Sequence, residues 1–146
     1  WAIAAPALAA AIAGKHQFLT FTTATPLQWA VAEALALPPE WHAAHRKRYT
    51  EAKARLVSGL TAAGFAVLPS SGTWFVTIDL AASGLPGEDA ALAERLIRDA
   101  GVASIPVSAF YAEAPQTGFL RLCFAKQDAV LDQAIERLHQ FRRSHA

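Results

Sequence analysis

The sequence predicts an α/β fold, an α+β-like small domain in which a small sheet is covered by helices. Three observations point there. The elements read from the pattern run helix, helix, long helix, hairpin, helix, strand, strand, helix. The chain has 146 residues, 53% hydrophobic and 17% charged, which suits one ordinary core with an appendage. No internal repeat or low-complexity linker interrupts it.

Trp1 to Ala5 reads as the end of a strand. Pro6 suits the first turn of a helix running to about Ala13, with Gly14 placed to close it. Lys15 to Thr23 is mixed, aromatic and hydroxyl-rich, and reads as extended or looped. Thr25-Pro26 is a helix start, a hydroxyl N-cap and then proline, and that helix ends near Leu37 before Pro38-Pro39. Pro39 opens the longest helix, to about Ala63. Trp41, His45, Tyr49, Ala52, Leu56 and Leu60 recur on one face of it, and Gly64 is the expected stop.

Phe65 to Leu68 and Thr73 to Leu80 read as a hairpin around Pro69-Ser70-Ser71-Gly72. Ser83 to Gly87 is loop. Glu88 to Ala100 is a helix with acidic residues in its first turn and Gly101 beyond its end, and Leu92, Leu96 and Ile97 are its expected core face. Val102 to Ile105 is a short strand. Pro106 to Gly118 is a long loop carrying Phe110 and Tyr111, and loops of that length are often functional. The last helix, about Gln127 to Arg143, has an amphipathic face of Val130, Leu131, Ala134, Ile135, Leu138 and Phe141. Residues up to about Leu37 have no strand partner in view, so they are expected to form a different body from the sheet.

Net charge +1 gives no general pull toward nucleic acid or an anionic membrane surface. The basic run His45-Arg46-Lys47-Arg48 reads as a solvated helix face. A single cysteine, Cys123, excludes an internal disulfide, suggests a reducing, cytoplasmic setting, and sits where packing explains it. No CxxC or HxxxH metal spacing occurs. The alanine-rich opening lacks a basic leader region, is broken by Pro6, and is too short to span a bilayer. With no methionine in the chain, a piece of a longer protein is expected.

Phe119 to Ala125 carries the chemistry. It is an apolar run of strand length, expected to be buried on both sides, with one arginine at its centre, Arg121. A buried guanidinium keeps its proton and needs an anionic partner. That partner is a carboxylate of this chain, with Asp79 the candidate, or one arriving with a ligand. The strand alone favours the internal pair.

Four phrases in register carry a resemblance: His16-Gln17-Phe18 through Thr25-Pro26-Leu27-Gln28, Gly64 to Phe75, Gly101 to Tyr111, and Leu120 to Lys126. Together they resemble the C-terminal part of class I/II, fold-type I, pyridoxal-phosphate aminotransferases, nearest the kynurenine, glutamine and methionine subgroup, over essentially the whole chain. The resemblance implies that residues 1–37 end the large cofactor domain and that residues 38–146 form the small domain, with 39–63 the linking helix. It places Arg121 where the family holds the substrate α-carboxylate, which reverses the preference for an internal ion pair. It implies amino-acid and 2-oxo-acid substrates, a homodimer, and neither nucleic-acid nor membrane partners. Phe21 and Thr22 match an aromatic and a polar position that reach the neighbouring site, although some relatives carry His where Thr22 stands. Phe110 and Phe21 are candidate apolar walls. Trp74 replaces a commoner Tyr.

The Schiff-base lysine of the family lies upstream of Trp1, and Lys15 and Lys126 do not sit in its phrase. No catalytic, cofactor-binding or metal-binding residue is therefore expected within these residues, and the fragment alone is expected to be inactive. The alternative reading is a non-catalytic small α/β binding or interaction module.

Overall fold

The computed structural model describes residues 2–144, which fall into two units divided between His42 and Ala43. Trp1 lies outside the described residues, and the rest of the expected opening strand, residues 2–5, has no regular structure.

The first unit holds α1 (Pro6–Leu19) and α2 (Thr25–Leu35). α1 runs straight through Gly14 instead of stopping there. Glycine inside a helix costs only about 1 kcal/mol, and the helix formers after it carry the helix on. The residue that turns the chain away is Phe21, at φ 65°, with its N–H donating to His16 O at 3.2 Å. The N-cap of α2 is Ala24, not Thr25, and no side chain caps it. Neither helix buries a residue.

α3 (Pro39–Ala62) begins in the first unit and continues into the second. Of its expected face, Ala52, Leu56 and Leu60 are buried and Tyr49 is half-buried, while Trp41 and His45 are exposed. Gly64 ends it at φ 83°. Phe65 N–H donates to Leu60 O at 3.0 Å and Gly64 N–H to Thr61 O at 2.9 Å, the paired bonds that a left-handed glycine permits at a helix end.

The sheet has four strands, β1 (Ala66–Val67), β2 (Phe75–Asp79), β3 (Ile105–Pro106) and β4 (Phe119–Cys123), in the order β1-β2-β4-β3 with every pair antiparallel. The expected hairpin is β1 and β2. Val76 and Ile78 of β2 lie opposite Leu122 and Leu120 of β4, and all four are buried. They cluster with Leu56 and Leu60 of α3 and with Leu131, Leu138 and Phe141 of α5 (Asp128–Ser144). Arg55 of α3 meets Asp132 at 2.8 Å and Asp128 at 3.2 Å on α5, and the hydrogen bond it donates to Asp132, then the charges of Asp132 and Asp128, raise its guanidinium above the ordinary arginine value.

Several expected boundaries move. The helix after the hairpin is α4 (Asp89–Arg95) followed by a π-helical turn, Leu96–Ala100. The wider turn shifts the register, so Leu92 and Leu96 are buried but Ile97 is 55% exposed. The strand expected over Val102–Ile105 is confined to Ile105–Pro106, at a sheet edge where a proline needs no ladder N–H. The loop after it contains a 3-10 turn, Val107–Phe110. Val130 is exposed at the margin of the α5 stripe. β4 is fully buried on one face only, while Phe119, Arg121 and Cys123 on the other are half-buried. No described helix is long and apolar enough to cross a membrane.

Candidate functional site

Arg121 stands at the centre of β4, opposite Thr77 of β2 on one side and Ile105 of β3 on the other. Leu120 and Leu122 fix its direction. A one-residue slip would expose both leucines and drive the cation into the core. Its guanidinium carbon lies 3.5 Å from the centroid of the Phe75 ring and 4.8 Å from that of Phe110. Such faces attract a cation without giving it a hydrogen-bond acceptor.

The internal pair with Asp79, which the strand alone favours and the resemblance argues against, is absent among the described residues. Asp79 sits opposite Phe119, and its Oδ1 accepts the Ala82 N–H at 2.9 Å, which closes the turn after β2. Arg121 makes no ion pair or hydrogen bond among the described residues, and its Nε is buried without a partner. One other buried side-chain atom among them shares that condition, Ser104 Oγ. Both residues line one cleft of about 220 Å³, together with Trp74, Phe75, Ile105, Cys123 and Lys126. Buried donors are normally satisfied, and these two residues, whose side chains each hold an unpaired donor, line one cleft in which the described residues supply neither with an acceptor.

Sequence reasoning passed over Phe75 and Ser104. Phe75 stands one step diagonally from Arg121 on the neighbouring strand, a contact legible only once the register is known. Asp89 was also missed. It reads in the sequence as an acidic residue at a helix start, but it is fully buried. Its Oδ2 accepts the Ser108 N–H at 2.8 Å, and its Oδ1 accepts the Ser108 hydroxyl at 2.6 Å and the Ala90 N–H at 2.8 Å.

Phe110, expected as an apolar wall, is 60% exposed with its ring beside Arg121. Phe21 and Thr22 belong to the first unit. Phe21 is 82% exposed, and the Thr22 hydroxyl donates to Thr23 O at 3.2 Å. The basic run His45 to Arg48 is exposed, with Lys47 3.8 Å from Glu51. No group of three or more His, Cys, Asp or Glu that could hold a metal ion occurs among the described residues.

Residues 1–138 match the family model described as aminotransferase class I and II. The chain is similar to the methionine aminotransferase of Escherichia coli, 36% identical over 96% of this chain and 36% of that protein. It is similar to a kynurenine–oxoglutarate transaminase of Dictyostelium discoideum, 30% identical over 98% of this chain and 38% of that one. The solved structure of N-succinyldiaminopimelate aminotransferase from Mycobacterium tuberculosis superposes with a TM-score of 0.80 at 37% identity, over 96% of this chain and 36% of that one. This chain thus spans a little over a third of the length of those relatives.

Proposed function

Because the chain belongs to the class I and II aminotransferase family, we propose that the whole protein moves an amino group between an amino acid and a 2-oxo acid with pyridoxal phosphate. This part then supplies the arginine that holds the substrate α-carboxylate. The observation that carries the reading is Arg121: a guanidinium braced by Phe75, with a buried Nε that has no partner, in a cleft with a second unpaired donor.

A planar carboxylate is the acceptor a guanidinium fits best, through two parallel N–H bonds. Arg121 binds it and fixes one end of the substrate, which sets the direction of the bonds at the adjacent carbon. In this reading the unpaired Ser104 Oγ, whose residue lines the same cleft, donates to the same anion. The Phe75 ring holds the guanidinium plane and excludes water from its rear face. The bound cofactor supplies an electron sink. The cleft does not fit it, since no carboxylate lines it to meet a pyridine nitrogen and Lys126 is exposed. This chain's share of the chemistry is therefore on the substrate side.

The same reading makes residues 1–37 the end of the cofactor domain and 38–146 the small domain. It also makes the protein a homodimer in which Phe21 and Thr22 reach the neighbouring site. The left-handed backbone of Phe21 supports that role, because strain of this kind in a bulky residue gathers at functional positions.

The test is Arg121→Ala in the full-length protein. A charge-assisted bidentate contact contributes about 1.5–3 kcal/mol, so kcat/KM for an amino acid should fall roughly tenfold to a hundredfold. The matching amine without the carboxylate should lose much less. The melting temperature should change little, because no buried anion of this chain is left behind. Equal loss on both substrates with a large fall in melting temperature would remove Arg121 from the site.

A further inference from the structure

A carboxylate at the first turn of a helix gains from the helix dipole while fully solvated, so the dipole does not account for the complete burial of Asp89. A buried carboxylate is costly unless its oxygens are hydrogen-bonded. Two of its three side-chain bonds go to one residue, Ser108, in the 3-10 turn that ends at Phe110. The Asp89 backbone N–H also donates to Thr117 O at 2.9 Å. Asp89 thereby ties both ends of the segment 108–117. Phe110, within that segment, is 60% exposed, so core packing does not hold its ring over Arg121. The ring is carried by the 3-10 turn, and that turn is hydrogen-bonded to Asp89 through Ser108.

We infer that Asp89 is a positioning residue for the carboxylate site, acting through Ser108 to fix Phe110 against the Arg121 guanidinium. The inference rests on the proposed role of Arg121. With the ring in place, the guanidinium keeps one orientation and meets the carboxylate with little reordering. With the turn loosened, Arg121 keeps Phe75 but loses the second ring, so more of its ordering falls on binding and the loss falls on substrates that use the carboxylate.

The experiment measures kcat/KM for an amino acid and for its decarboxylated amine in the full-length protein, comparing wild type with Asp89→Asn, Ser108→Ala, Phe110→Ala, Arg121→Ala and the double variant Asp89→Asn/Phe110→Ala. Asp89→Asn and Phe110→Ala should each lower the amino-acid preference by about threefold to thirtyfold, the span of a face-on cation–ring contact. Ser108→Ala, which keeps the backbone bond, should lower it less and serves if Asp89→Asn folds poorly. The double variant should lose no more preference than Phe110→Ala alone. A melting temperature that falls in Asp89→Asn and Ser108→Ala while the preference stays at the wild-type value would overturn the inference and leave Asp89 a structural residue. So would a double variant whose losses multiply. If Arg121→Ala itself leaves the preference unchanged, the carboxylate reading fails and this inference falls with it. If Arg121→Ala lowers it and Asp89→Asn does not, the inference alone is wrong.

Discussion

The strand pattern singles out Arg121 as a lone cation in an apolar run, but the pattern alone favours an internal pair, and it is the resemblance that points to a ligand. Of its surroundings the resemblance offers Phe110, while Phe75 of β2 and Ser104 beside β3 go unread, because sequence patterning does not set which strands pair. Asp79 shows the same limit from the other side. It lies on the same sheet face as Arg121, yet its Oδ1 is used by the turn that follows β2. Asp89 and Ser108 are 19 residues apart, and nothing in either local pattern links them. Ser104 offers a prediction at this scale. A buried hydroxyl without a partner costs about 1–3 kcal/mol, so Ser104→Ala should leave the melting temperature unchanged or raise it, while kcat/KM for an amino acid falls. A melting temperature several degrees lower would mean that the hydroxyl is satisfied within the fold.

The elements themselves were largely legible where periodicity was long and the stop signal strong. α3 and α5 came within a residue or two of their observed limits, and Gly64 ended α3 as its left-handed preference requires. Gly14 misled because glycine is a stop only when the backbone turns there, and in α1 the turning residue is Phe21. The π-helical turn after α4 has no sequence signature, and Ile97 within it lies off the core face. Packing between elements is tight at Gly59 of α3. A Cβ there would lie 2.6 Å from both Cδ1 and Cγ2 of Ile135 on α5. Ile135 is β-branched and stiff at its first torsion, so it cannot swing aside cheaply. Gly59→Ala gains about 1 kcal/mol of helix propensity but incurs an overpacking cost of about 1–3 kcal/mol. Thermal denaturation should therefore show net destabilisation, and a melting temperature above that of wild type would contradict this packing.

At the scale of the whole molecule, the two units differ in what holds them. Among the described residues, all of the buried apolar side chains lie in 43–144, from Ala52, Leu56 and Leu60 to Leu138 and Phe141. Residues 2–42 contain two helices with no buried residue, while Ile3, Phe18, Leu19 and Trp29 are between 68% and 92% exposed. Burial of apolar surface supplies most of the stability of a fold, at roughly 25 cal/mol per Å², and short helices without it are marginal in water. For the 146-residue chain by itself, amide hydrogen exchange over residues 6–35 should accordingly be fast and nearly independent of the stability of the rest. Amides of β2, β4, α3 after Ala52, and α5 should exchange slowly and together, through global unfolding. Exposed apolar surface of this extent also favours association, so raising the concentration should slow exchange in α1 and α2 first. Equally slow exchange in both units of a sample shown by sedimentation to be monomeric would mean that α1 and α2 are stabilised by something other than apolar burial.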